Sequence, residues 1–156
     1  MNKFDKISKS QWILDGGNDE SYNRVILPKR GTAHSAGYDF YNPNDIVIPS
    51  HGSAVIKTGI KCYLDFDKYL ALHVRSSMGI KKNLMLKNIT GIIDSDYVDN
   101  ESNEGHILIG VYNYGDSDVS IKSGDRIAQG IINSYYTTDD DNTTKVRTGG
   151  VGSTGK

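Results

Sequence analysis

Asn88-Ile89-Thr90-Gly91-Ile92-Ile93-Asp94-Ser95-Asp96-Tyr97 sets two adjacent isoleucines between a glycine and a polar run that ends in an aromatic ring. Gly91 permits a backbone conformation, or a close approach, that a side chain would block. Ile92 and Ile93 are good strand formers and can anchor a short strand in a core. Asp94 follows where the chain leaves that core, which holds a carboxylate at an accessible strand exit. A group so placed can act as a general base, and Tyr97 offers a flat face to a sugar or a base. A simple hairpin turn, with Asp94 and Ser95 bonding their own backbone, is the other reading of these residues taken alone.

The flanking segments repeat one pattern, a short apolar run followed by a turn signal. Val25-Ile26-Leu27 reads as a first strand ended by Pro28, and residues 29–35 as a loop. Tyr38 and Phe40 then alternate with Asp39 and Tyr41, so Asp39 faces away from two aromatics. Further strands are expected over 45–48, 53–58, 60–64, 69–74, 84–86, 107–112, 119–121 and 126–132. Within them Leu70, Leu72 and Val74 oppose Ala71 and a solvent-facing His73, while Ile127, Gln129 and Ile131 share a face. Val98 to Gly105 is a polar excursion best read as a hairpin loop. Residues 1–24 carry no motif, and Trp12 is a packing anchor. Eight or more short strands with no long helical period indicate an all-β jelly roll or Greek-key barrel.

A length of 156 residues fits one domain. A net charge of -1 argues against a general nucleic-acid binder. The single Cys62 excludes an internal disulfide and fits a reducing compartment. No apolar run approaches the roughly 20 residues needed to span a bilayer, and the N-terminus lacks an apolar signal core. The expectation is a cytoplasmic protein.

Arg75-Ser76-Ser77 follows a strand, and a forked guanidinium beside two hydroxyls suits an anion. If Ser76 opens a short helix, its N–H groups add donors; an ordinary helix cap with a surface Arg is the alternative. Gln129 sits among apolar neighbours, so it is either a structural bridge or a site residue. Asp139-Asp140-Asp141 reads as a solvated loop. The C-terminal Arg147-Thr148-Gly149-Gly150-Val151-Gly152-Ser153-Thr154-Gly155 is a flexible tail by composition, yet could fold over a phosphate and supply backbone donors. It is not a Walker loop.

Five segments in one order resemble the trimeric dUTPases, in particular those of Gram-positive bacteria and their phages. They are Ala36–Phe40, Arg75–Gly79, Asn88–Tyr97, Gly124–Gln129 and Arg147–Gly155, and the likeness runs from about residue 25 to the C-terminus. The resemblance implies a jelly-roll subunit over residues 1–146, a lid segment over 147–156, and a homotrimer whose active sites are shared between chains. It implies Mg²⁺-dependent hydrolysis of dUTP to dUMP and pyrophosphate by water attack on the α-phosphorus. Asp94 would be the general base and Gln129 would help place the water. Asn88 and the backbone of Ile92, with Gly91 and Ile93 beside them, would read the uracil. Tyr97 would pack under the deoxyribose and exclude a 2′-hydroxyl. Arg75, Ser76 and Ser77 would hold phosphates, and Arg147, Gly152, Ser153 and Thr154 would close over them. Asp39 would be a supporting carboxylate near the metal or the trimer channel. The family usually has Phe between the glycines of the last segment, stacked on uracil, and here that position is Val151. Two other readings remain from the residues: a dCTP deaminase of the same fold, and a regulatory protein whose partner docks on Val98–Gly105. No nucleic acid or membrane partner is expected.

Overall fold

The structure is a computed structural model that describes residues 1–152. In chain order the strands are β1 (Lys3–Lys6), β2 (Lys29–Arg30), β3 (Tyr38–Tyr41), β4 (Ile46–Ile48), β5 (Ser53–Lys57), β6 (Ile60–Tyr63), β7 (Lys68–Val74), β8 (Leu84–Leu86), β9 (Gly91–Asp94), β10 (Leu108–Asn113), β11 (Val119–Ile121) and β12 (Arg126–Ser134). The helices are α1 (Lys9–Leu14), α2 (Asp19–Asn23) and α3 (Ser76–Lys82), with a 3-10 turn at Ser95–Tyr97. The architecture is all-β, of the jelly-roll type.

The main sheet runs β2-β3-β12-β7-β9, and β7, the most central in sequence, pairs antiparallel with both β12 and β9. A second sheet runs β5-β10-β8. The two-stranded pairs β11-β4 and β1-β6 complete the sheets. Between them lies a core that includes Phe40, Ile48, Leu70, Ile107, Ile121 and Ile127, each at most 2% exposed. Gly130 is there because a Cβ would stand 2.8 Å from Leu70 Cδ1 and 2.9 Å from Phe40 Cε2. Among the described residues no helix is long and apolar enough to cross a membrane.

Four details differ from the sequence expectations. Residues 1–24 are structured: Ser8 caps α1 by accepting from Gln11 N–H, and Asn18 with Ser21 forms a reciprocal capping box on α2. Both helices are held by Trp12, whose Nε1 donates to Ser21 Oγ at 2.9 Å and to the Asn18 carbonyl at 3.1 Å. Val25-Ile26-Leu27 is not a strand. Val25 packs against Gly59, where a Cβ would meet its Cγ2 at 2.6 Å, while Ile26 and Leu27 stay 38% exposed. Val98–Gly105 does not close a hairpin, because β9 pairs with β7 whereas β10 lies in the other sheet. Finally, a register shift between Arg126 and Ala128 puts both Ile127 and Ala128 in the core. The irregularity resets the side-chain alternation, so Gln129 shares a face with Ile131 but not with Ile127.

Candidate active site

β9 carries the opening stretch along the edge of the main sheet. Its register pairs Leu72 with Gly91, Ala71 with Ile92, Leu70 with Ile93 and Tyr69 with Asp94. Ile93 therefore follows Leu70 toward the core, and Ile92 points outward at 54% exposure. The expectation that both isoleucines anchor the strand holds for Ile93 alone; strand alternation sends the other out. Gly91 is buried because its backbone lies against Leu72: a Cβ there would meet Leu72 Cβ at 3.2 Å.

Asn88, Gly91, Ile92, Ile93, Asp94 and Tyr97 line one cleft of about 450 Å³. That size suits a small organic ligand. Val55, Leu108 and Gly110 form its opposite wall, and Arg147, Val151 and Gly152 reach it from the C-terminal segment. The walls are mostly apolar, with Asp94 standing at the N-cap of the 3-10 turn. The Asp94 side chain is 52% exposed. Arg147 spans two carboxylates: its Nη2 donates to Asp94 at 2.6 Å and its Nε to Asp96 at 2.8 Å. The same guanidinium lies 5.6 Å from the Tyr97 ring centre. Tyr97 itself is 5% exposed and lines the cleft.

Beside Asn88, Ile89 has φ of 63°. A β-branched residue in the left-handed region is strained, and here the strain sits in the turn that feeds the cleft, where Thr90 N–H bonds the Asn88 carbonyl at 2.6 Å.

A second, smaller cleft of about 160 Å³ gathers Asp39, Arg75, Ser76, Arg126 and Gln129. Asp39 is 7% exposed and accepts from Arg75 Nε at 2.8 Å and Arg126 Nη1 at 3.2 Å. This fixes the Arg75 fork at the end of β7, next to the first turn of α3. Ser76 opens α3, and Ser77 follows it, half-buried. Gly37 makes room for Gln129: a Cβ at Gly37 would stand 2.6 Å from its Oε1. The carboxylate of Asp39 is thus engaged by two guanidiniums. Among the described residues, no group of three or more His, Cys, Asp or Glu side chains could hold a metal ion.

The two clefts share no lining residue. Gln129 pairs with His73 and Asp94 with Tyr69 on β7. Four residues of strand at about 3.3 Å and two strand spacings of about 4.8 Å put their Cα atoms roughly 16 Å apart. One chain therefore presents two separate walls. A larger polar cleft of about 500 Å³, between the end of α3 and the β10–β11 turn, holds none of the expected site residues. Ser153 and Thr154 lie outside the described residues. Asp96, which steadies Arg147, and Arg126, which shares Asp39, were not singled out in the sequence. Both sit inside the quoted segments, one in Asp94-Ser95-Asp96 and the other in Gly124-Asp125-Arg126.

A family model described as dUTPase matches residues 23–155. The deoxyuridine 5'-triphosphate nucleotidohydrolase of Lactococcus lactis is 41% identical over 133 residues, covering 84% of this chain and 89% of the relative. A crystal structure of a dUTPase from Streptococcus mutans is 36% identical with a TM-score of 0.74, covering 88% of this chain and 98% of that one. A dUTPase of Staphylococcus aureus phage phi11, whose structure details the coordination of a structural Mg(II) ion, shares the fold at 19% identity and a TM-score of 0.70, over 93% of this chain and 97% of that one. With its glycine-flanked strand, its carboxylate at the strand exit and these relatives together, the chain belongs to the dUTPase family.

Proposed function

We propose that the chain hydrolyses dUTP to dUMP and pyrophosphate, with Asp94 as the general base. The observation that carries this is the placement of Asp94, a half-exposed carboxylate at the rim of a cleft whose other walls are apolar groups, Asn88, Tyr97 and the Arg147 that bonds it. In this reading Asn88 and the β9 backbone from Gly91 to Ile93 read the uracil edge. The Tyr97 ring lies along the deoxyribose and leaves no room for a 2′-hydroxyl. Asp94 takes a proton from the attacking water, a step that typically contributes about 10² to 10⁴ in rate.

Asp94 is capped by Arg147 in the single chain. The substrate's outer phosphates compete for that guanidinium, and as it turns to them the carboxylate is freed to accept a proton. Residues 147–156 thus act as the lid, with Val151, Gly152, Ser153 and Thr154 over the nucleotide, and residues 1–146 as the barrel. Arg75, Ser76 and Ser77 hold phosphate, and Gln129 helps place the water. Because the two clefts are separate on one chain, the working site joins the Asp94 wall of one protomer to the Arg75–Gln129 wall of another, in a homotrimer.

Magnesium fits this site as an ion borne on the triphosphate, since no carboxylate cage is present among the described residues. Bound there it neutralises phosphate charge. Asp39, already holding two guanidiniums, orients Arg75 and does not ligate the ion. A soluble deoxynucleotide as substrate is consistent with a cytoplasmic protein. A panel of dUTP, UTP, dTTP and dCTP, with and without Mg²⁺, tests the reading. Pyrophosphate release is expected from dUTP with Mg²⁺ and from none of the others at a comparable rate. Equal turnover of UTP, or ammonia from dCTP, would sink it.

A further inference from the structure

Tyr97 lines the cleft, with the Arg147 guanidinium 5.6 Å from its ring centre, while its hydroxyl is bonded into the segment that follows. Asn103 Nδ2 donates to that hydroxyl at 2.8 Å, and the hydroxyl donates to the His106 carbonyl at 3.2 Å. The backbone carbonyl of Tyr97 is held as well, by Asn100 Nδ2 at 2.8 Å. Asn103 is itself fixed: its Oδ1 accepts from Asn100 Nδ2 at 2.7 Å and from Gly105 N–H at 3.0 Å. The polar excursion after Tyr97 is therefore a small folded unit closed on one aromatic side chain.

That unit is clamped from behind. Ser8 donates to Glu104 twice, from its backbone N–H at 2.8 Å and its hydroxyl at 2.5 Å. Lys61 and Tyr63 on β6 hold Asp99 at 2.6 and 2.8 Å. His106 is fully buried, with Trp12 at 5.9 Å and Asp15 Oδ2 at 2.5 Å from its Nδ1. Gly59 N–H donates to its Nε2 at 2.9 Å, so the ring is neutral with its proton on Nδ1. Burial lowers the imidazole's pKa, in keeping with that form. Ser8, Trp12 and Asp15 all precede residue 23, where the family match begins. The clamp is thus built by the N-terminal segment together with β6.

We infer that Asn103 is a positioning residue for sugar discrimination: it fixes the tilt of the Tyr97 ring through the ring's hydroxyl, on a loop that the N-terminal segment braces. The inference rests on the reading of Tyr97 as the wall that meets the sugar. A steric filter works only if the wall cannot tilt, since a ring free to rock yields the space that a 2′-hydroxyl needs. The chain supplies that stiffness at the hydroxyl end of the ring.

The test is the ratio of kcat/KM for dUTP to that for UTP, measured on the full-length protein with Tm alongside. Asn103→Ala and Tyr97→Phe each remove the same hydrogen bond, and each is expected to lower the ratio about fivefold, mainly by raising turnover of UTP. Tyr97→Phe also loses the bond to the His106 carbonyl, so the double variant should fall no further than Tyr97→Phe alone, because the Asn103 bond is already gone there. An unchanged ratio in Asn103→Ala, whatever its Tm, overturns the inference. Should that variant not fold, Tyr97→Phe keeps the loop's own bonds and decides alone. Tyr97→Ala is the control for the underlying reading: a ratio kept intact there would show that Tyr97 is not the wall, and the role of Asn103 would fall with it.

Discussion

The two clefts on one protomer treat their carboxylates in opposite ways. Asp39 is 7% exposed and its partners, Arg75 at the end of β7 and Arg126 on β12, are rooted in the main sheet. Asp94 is about half exposed and its partner, Arg147, arrives on the C-terminal segment. The first arrangement is permanent and aims a guanidinium. The second can be taken apart, which is what the proposed general base would require. Charge chemistry alone does not tell the two aspartates apart; the rigidity of the partner does.

The largest contrast should come from removing each carboxylate in turn. Asp94→Asn is expected to lower kcat for dUTP by about 10² to 10⁴ while leaving the denaturation midpoint almost unchanged, because the side chain is exposed. Loss of stability instead of rate would erase the distinction. Asp39→Asn should behave the other way, costing about 1–3 kcal/mol in urea unfolding. That is less than a fully buried pair, because Arg126 is 48% exposed. Its kinetic defect should appear as weaker phosphate binding, read as a raised KM.

Two smaller effects sharpen the picture of the Asp94 cleft. Val151 lines it where relatives of this family usually place Phe, and base stacking on an aromatic is worth roughly 1–3 kcal/mol. Val151→Phe should lower KM for dUTP by about fivefold or more. A variant that binds no tighter would show that the lid residue does not face the base. Ile89→Gly should raise Tm by about 2 °C. Relief of left-handed strain outweighs the entropy of an added glycine by only a fraction of a kcal/mol, and the 75% exposed side chain gives up little burial.

The sequence reveals what alternation and turn chemistry encode. Strands such as β7, β8 and β10 follow their apolar periodicity, and the quoted segments lie on the two clefts as far as they are described. The bulge near Ile127 is invisible in sequence because alternation has no marker for an inserted residue, and so simple alternation puts Gln129 on the face of Ile127. Val25–Leu27 has strand composition, but its fate depends on Gly59 and Trp12, far away in the chain. The N-terminal helices, of six and five residues, are too short to show a period, and their caps at Ser8 and Asn18 emerge only in the structure. Nothing in the sequence joins Asn103 to Tyr97, since that contact depends on a loop folded by its own asparagines.

Cys62 is the single cysteine, 1% exposed, and burial pushes its thiol up to about 12. It is therefore silent toward maleimide reagents while the barrel is folded. A cysteine installed at Val151, which is 81% exposed, would be the sole reactive thiol on the folded protein and could carry a fluorophore. The closure proposed for the C-terminal segment could then be tested in real time without first engineering the native sulfur away.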